Sequence, residues 1–190
     1  MAESKSEIRK RILALRDGMS SFDRERGTLL LTERILGHQW FYRCEDFLCF
    51  VNFGSEIGTE ELIEEALRQG KHVFVPKVEQ KLSESVMEFY RISSSEELVS
   101  GYRGIREPSG ETERYFYSPE RAEKTLMLMP GTVFDSYRNR LGYGKGFYDK
   151  YLADKEVLQL HTVAVGFRCQ LVEKLPVEET DIKPYQVICV

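Results

Sequence analysis

The sequence predicts an α/β fold, a three-layer α/β/α arrangement around a mostly parallel central sheet, expected to form a single domain over residues 1–190. Two observations carry that expectation. Residues 47–53 are an apolar and aromatic run interrupted only by Asn52, 60–69 read as a helix, and 72–75 return to strand-forming residues. Such a strand, helix, strand succession is the mark of a right-handed crossover between parallel strands. The second is length: a chain of 190 residues can bury one substantial core but has little room for a second catalytic domain.

In chain order, Ser4 and Glu7 stand as a capping box before a helix whose Ile8, Ile12 and Leu15 recur on one face. Lys5 and Arg9, four apart, occupy another face together. A second helix is expected over 23–36, weakened in its first turn by Gly27. The strand at 47–53 has the composition of one buried on both faces. Residues 54–58 then turn the chain into the 60–69 helix, with Thr59 as its cap and Gly70 as its terminator. Strands are expected at 72–75 and, by alternation, at 86–92. Residues 96–119, rich in Gly, Pro, Ser and charge, read as a long connection of the kind that is often functional in compact domains. A buried strand at 125–129, a helix at 147–152 and strands at 162–165 and 187–189 complete the order.

Composition excludes several classes of function. The formal charge is −4 with Lys and Arg dispersed, and the one basic stretch, Lys5, Arg9, Lys10, Arg11 and Arg16, is too short to form a nucleic-acid footprint. Cys44, Cys49, Cys169 and Cys189 lack CxxC spacing and read as reduced thiols of a cytoplasmic protein. The first residues carry charge where a signal peptide needs an apolar run, and no later stretch approaches a membrane span. His38, His72 and His161 fit neither a triad nor a zinc spacing, and no Ser or Cys sits in a nucleophile elbow. No long amphipathic repeat advertises a partner, so a monomer is expected.

The run Arg140-Leu141-Gly142-Tyr143-Gly144-Lys145-Gly146-Phe147-Tyr148-Asp149 follows the 125–129 strand and its Pro130-Gly131 break. Open α/β sheets bind ligands beyond the carboxyl ends of their strands. Glycine lets backbone N–H groups converge on phosphate oxygens and permits positive φ. Arg140 and Lys145 can neutralise phosphates, and Asp149 can hold a divalent cation or its water. The pattern matches neither the Walker form nor GxGxxG, so an ordinary tight loop with solvated charges fits the spacing as well. Lys5 and Arg9 read either as a phosphate clamp or as an exposed basic face. Glu56 can receive a heterocycle or decorate a turn, and Asp135 can brace the loop or approach a ligand.

These residues together resemble the 5-formyltetrahydrofolate cyclo-ligase family. The similarity is carried by Met129-Pro130-Gly131, Phe134-Asp135 and the ordered run from Asn139 to Asp149, supported by Lys5 with Arg9, 56–59, Gly70-Lys71 leading to Pro76, 104–108, and Leu175-Pro176-Val177 before Asp181. The resemblance implies ATP- and Mg2+-dependent conversion of 5-formyltetrahydrofolate to 5,10-methenyltetrahydrofolate, ADP and phosphate. By it, Lys5, Arg9 and the run Arg140, Leu141, Gly142, Tyr143, Gly144, Lys145, Gly146, Phe147 and Tyr148 would bind ATP, with Lys145 and Arg140 catalytic. Asp149 and Asp181 would hold the metal. Val51, Glu56, Tyr143, Gly144, Lys145, Gly146 and Phe147 would line the folate side. A diverged paralogue acting on another formylated compound, and a non-catalytic folate or nucleotide binder, are the alternatives. Three positions depart from the commoner family pattern: Arg138 where glycine is frequent, Thr180 in place of a histidine before Asp181, and Tyr185 where an aspartate is common.

Overall fold

The computed structural model describes residues 3–81, 84–109 and 112–190. Chain order runs α1 (Lys5–Asp17), α2 (Ser21–Leu36), α3 (Gln39–Arg43), β1 (Asp46–Leu48), α4 (Glu60–Arg68), β2 (His72–Lys81), β3 (Glu84–Ile92), β4 (Leu98–Ser100), β5 (Arg106–Pro108), α5 (Pro119–Ala122), β6 (Thr125–Met129), β7 (Val133–Asp135), β8 (Arg140–Leu141), α6 (Phe147–Leu152), α7 (Glu156–Gln159), β9 (Thr162–Gly166), β10 (Leu171–Val172) and β11 (Gln186–Cys189). The central sheet has six strands in the order β11-β9-β6-β1-β2-β3. All its pairings are parallel except β2 with β3. The α/β reading therefore holds.

Alternation along the strands divides the core. Phe47, Val73, Val75, Leu126, Leu128, Val163 and Val165 face α2, α3 and α4 through Leu31, Ile35, Phe41, Leu62 and Ile63. Leu48, Phe74, Met127, Met129 and Ala164 face α5, α6 and α7 through Ala122, Tyr151, Leu152 and Leu158. Each Val, Leu, Ile, Phe or Met side chain among them contributes roughly 1.5–3 kcal/mol when fully withdrawn from water. A third cluster sits apart: Ile8 and Ile12 of α1 pack on Val133, Leu141 and Leu175, over a small sheet ordered β10-β7-β8. This small sheet and α1 carry the glycine run.

Several sequence expectations need correction. The strand expected over 47–53 ends at Leu48, because side-chain bonds replace the ladder beyond it. Thr59 Oγ1 donates to the Phe50 carbonyl at 2.8 Å, and Thr59 N–H donates to Asn52 Oδ1 at 3.1 Å. Thr59 thus ties down this loop instead of capping α4 through its side chain. The strand expected over 72–75 runs on to Lys81 despite Pro76. Past Phe74, β2 has only β3 beside it, which is the edge setting that tolerates proline. The 96–119 connection contains the antiparallel pair β4 and β5, while positions 110 and 111 lie outside the described residues.

On α1 the capping box forms, with Ser4 Oγ accepting from Glu7 N–H and the Glu7 carboxylate accepting from Ser4 N–H. Leu15, expected on the buried face, is 53% exposed, and Arg16 takes that place at 3%. The helix expected over 23–36 begins at Ser21. Its Gly27 is explained by packing: a Cβ there would stand 2.7 Å from Phe167 Cε1. The glycine thus lets α2 approach the ring.

Candidate functional site

The glycine run begins as structure and ends as surface. β7 and β8 pair antiparallel, and the turn between them is held by Asp135. This carboxylate is 2% exposed and accepts from Tyr137 N–H, Asn139 N–H, Asn139 Nδ2 and Leu175 N–H at 2.8–2.9 Å. Burial works against its charge, but these donors outweigh it and hold the carboxyl below its ordinary value. Of the two sequence readings, bracing is the one the geometry has. Thr132 Oγ1 donates to the Leu141 carbonyl at 2.8 Å, closing the base.

Arg140 is buried in that base. Its Nη2 pairs with Asp149 Oδ1 at 3.2 Å, its Nη1 donates to the Pro130 carbonyl at 3.4 Å, and its guanidinium lies 5.4 Å from the centre of the Tyr148 ring. The buried Nε has no hydrogen-bond partner. Leu141 is equally buried and packs against Ile8 and Ile12.

Beyond it the chain rises. Gly144 and Gly146 adopt φ of 93° and 64°, a region in which a Cβ is strained. Gly142 does not need positive φ; its carbonyl accepts from Arg9 Nε at 2.7 Å. Lys145 is exposed and makes no ion pair among the described residues. Phe147 opens α6 and meets the Tyr102 ring edge-on at 6.1 Å. Tyr148 packs edge-on against Phe89, and its burial raises its hydroxyl's pKa well above the ordinary value.

On one side of this crest stand the charges of α1 and the last loop. Lys5 Nζ pairs with Asp181 Oδ2 at 2.7 Å and with Glu178 Oε1 at 3.1 Å. Partial burial pulls the Asp181 carboxyl upward, but Lys5 and the Glu178 N–H prevail and lower it. Ile182 N–H donates to Asp149 Oδ1 at 3.1 Å, so the expected metal carboxylates, Asp149 and Asp181, adjoin one another through the 181–182 backbone. Two of the residues expected to grip phosphate, Lys5 and Arg140, are thus paired with the two expected to grip metal, Asp181 and Asp149. No group of three or more His, Cys, Asp or Glu side chains gathers for a metal among the described residues.

On the other side, Tyr143 reaches across to the loop after β1. Its hydroxyl donates to Glu56 Oε1 at 2.9 Å and accepts from Arg16 Nη2 at 2.8 Å. Phe53 N–H donates to Glu56 Oε2 at 3.0 Å. Burial raises the Glu56 carboxyl, opposed by Phe53, Tyr143 and Arg16. The Tyr143 phenol is pushed up to about 12, first by burial and then by the Glu56 charge. Val51, expected to line a ligand, is buried in the main core.

Sequence reasoning brought Lys5, Arg9, Glu56, Asp149 and Asp181 to one rim but overlooked Arg16 and Tyr102. The spacing 8, 12, 16 was the missed signal, because it sets Arg16 on the apolar stripe of α1. Tyr102 lies in an irregular turn and left no pattern to find. Arg138, one of the three departures, has φ of 65°, where glycine is unstrained. Its Nη1 donates to the Tyr185 carbonyl at 2.6 Å and its guanidinium lies 5.9 Å from the Tyr185 ring centre. It is an anchor on Tyr185 and not a further phosphate-facing cation.

An open α/β sheet, a glycine crest beyond its strand ends, and a rim of paired cations and carboxylates define the class: an α/β protein with a glycine-rich loop raised beside a charged rim. A family model described as the 5-formyltetrahydrofolate cyclo-ligase family matches residues 1–190. The chain belongs to that family, which makes it a ligase of folate metabolism. It is 30% identical over 190 residues to the mouse 5-formyltetrahydrofolate cyclo-ligase, covering 97% of this chain and 90% of that one. With the Escherichia coli K12 protein of the same description it shares 38% over 133 residues, covering 70% of this chain and 71% of the other. The solved structure of Aquifex aeolicus 5,10-methenyltetrahydrofolate synthetase superposes with a TM-score of 0.79 at 31% identity, over 95% of this chain and 86% of that one. A Mycoplasma pneumoniae synthetase, at 18% identity and a TM-score of 0.72 over 98% of each chain, shares the fold.

Proposed function

We propose that the protein catalyses ATP- and Mg2+-dependent cyclisation of 5-formyltetrahydrofolate to 5,10-methenyltetrahydrofolate, with release of ADP and phosphate. The single observation that supports it best is the exposed, unpaired Lys145 on a glycine crest, with Lys5 and Arg9 on one side and Glu56 on the other. A folate-binding protein with no ligase activity has no use for such a cationic crest.

The formyl oxygen is a poor leaving group. Transfer of the γ-phosphoryl group to it makes phosphate the leaving group, and N10 of the same folate then attacks the formyl carbon, closes the five-membered ring and expels phosphate. No enzyme nucleophile is required. Holding N10 and the formyl carbon together contributes on the order of 7–11 kcal/mol in well-oriented intramolecular reactions. Lys145 meets the charge moving onto the transferred group. Lys5, Arg9 and the backbone of 140–148 hold the phosphates, while Arg140 supports them from beneath through Asp149. Glu56 accepts N–H bonds from the folate ring, with 143–147 completing that side and Val51, its side chain in the core, limited to what its main chain can offer.

The carboxylate pair Asp149 and Asp181 fits Mg2+, which takes one or two carboxylates and fills its shell with phosphate oxygens and water. Both residues would hold the ion, and the ion would neutralise phosphate charge. The protein is further proposed to act in the cytoplasm as a one-domain monomer; among the described residues no helix is long and apolar enough to cross a membrane.

The test is the absorbance of the methenyl product when purified protein meets folinic acid and MgATP, together with stoichiometric ADP. Absence of turnover in folded, metal-replete protein would sink the reading.

A further inference from the structure

Arg16 is a buried cation on an otherwise apolar helix face, outside the charged rim. Its Nε donates to Ser55 Oγ at 2.9 Å and its Nη2 to the Tyr143 hydroxyl at 2.8 Å. Ser55 in turn hydrogen-bonds Asp17. Arg16, Phe50, Glu56 and Gln170 close around a narrow space behind this network. A guanidinium only donates hydrogen bonds. With Arg16 occupying a lone pair of the Tyr143 oxygen, the phenolic proton is directed to Glu56 Oε1. The other Glu56 oxygen receives Phe53 N–H. A carboxylate oxygen has two lone pairs, so each oxygen retains one acceptor position for a ligand.

We propose that Arg16 is a positioning residue for the folate side of the reaction: through Tyr143 it fixes Glu56 as an ionised, oriented acceptor and draws the glycine crest against the loop after β1. This rests on the folate reading of Glu56 given above. Removing the guanidinium has two consequences. The Tyr143 hydroxyl loses its orientation, and the half-buried carboxylate loses the positive charge that opposes its protonation. The charged and titratable groups that bear on Glu56 are Arg16 from α1, with Asp17 behind Ser55, Tyr143 from the crest, and Tyr148 from α6 with Arg140 beside it. Of these, only Arg16 and Arg140 are cations, and Arg140 is engaged by Asp149.

The experiment measures kcat/KM for folinic acid against pH at saturating MgATP, for the wild type, Arg16→Leu, Arg16→Lys and Tyr143→Phe. In Arg16→Leu, KM for folinic acid should rise about tenfold, as the loss of one charge-assisted hydrogen bond does, while KM for ATP stays put. The acid limb should move to higher pH, by about one unit at most, because a nearby opposite charge that reaches the carboxyl through the Tyr143 hydroxyl opposes its protonation. Arg16→Lys should return most of the limb, and Tyr143→Phe should share the rise in KM. An active wild type whose Tyr143→Phe and Arg16 variants keep its folate KM and acid limb overturns the inference alone. A wild type that folds but never turns over folinic acid overturns the folate reading, and this inference with it. Should Arg16→Leu fail to fold, Arg16→Lys and exposed Tyr143→Phe still decide, since an unmoved KM in the latter refutes the coupling.

Discussion

The base of the glycine run and its crest are built in opposite ways. In the base, Asp135 is saturated by four donors and Arg140 is buried against Asp149 and Tyr148. At the crest, Tyr143, Gly144 and Lys145 are exposed, and the backbone turns through positive φ at Gly144 and Gly146. The base is packed and largely satisfied from within, Arg140 Nε and Asn139 Oδ1 excepted among the described residues; the crest presents its groups to solvent. A motif that reads as one unit in sequence therefore divides into a buried foundation that sets position and an exposed surface, the part to which the proposed chemistry is assigned.

Three substitutions sharpen or break that division. The largest effect belongs to the crest: Lys145→Ala should lower kcat by roughly 10²–10³, the usual loss when one preorganised transition-state contact goes. Its melting temperature should stay at the wild-type value, since the side chain has no partner to lose; retained turnover and ATP affinity would remove Lys145 from its role. Next comes the base. In Asp135→Asn the new amide sets a donor against a donor, at Leu175 N–H or Asn139, and stability in urea should fall by about 1–3 kcal/mol.

The pH dependence follows from the same group. The folded Asp135 carboxyl lies below its unfolded value near 4. Its contribution is therefore complete above the unfolded value and disappears as pH falls through the folded one. The asparagine variant should lack that part of the acid slope. The smallest effect is expected at the rim: Glu178 is 68% exposed beside Lys5, and Glu178→Ala should change stability by less than about 1 kcal/mol. A rim loss as large as the base loss would show that the foundation extends to the last loop.

The sheet was legible because its buried strands are continuous apolar runs, a signal that needs no tertiary knowledge. The charged residues of the site were legible by residue type and by resemblance. Their partners were not, because Lys5 and Asp181 are 176 residues apart and no local pattern encodes such a pair. Arg140 shows the limit in the other direction. Its place beside three glycines suggests an exposed cation, whereas the β7–β8 hairpin turns it inward. The early end of β1 depends on Thr59 seven residues beyond Asn52, a side-chain bond that composition cannot announce. Small, irregular pieces such as β4 with β5 lay below the length at which periodicity speaks.

Arg138 and Tyr185 touch one another. A residue with a Cβ at positive φ costs on the order of 1 kcal/mol relative to glycine, and the hydrogen bond from Arg138 Nη1 to the main-chain carbonyl of Tyr185 works against that cost. Only the approach of the guanidinium to the Tyr185 ring, 5.9 Å from its centre, depends on the side chain at 185; the hydrogen bond is to the main chain and should survive a change of residue there. The bond spans 47 residues of sequence and fastens the tip of the β7–β8 hairpin to the entrance of β11 through the main chain at 185.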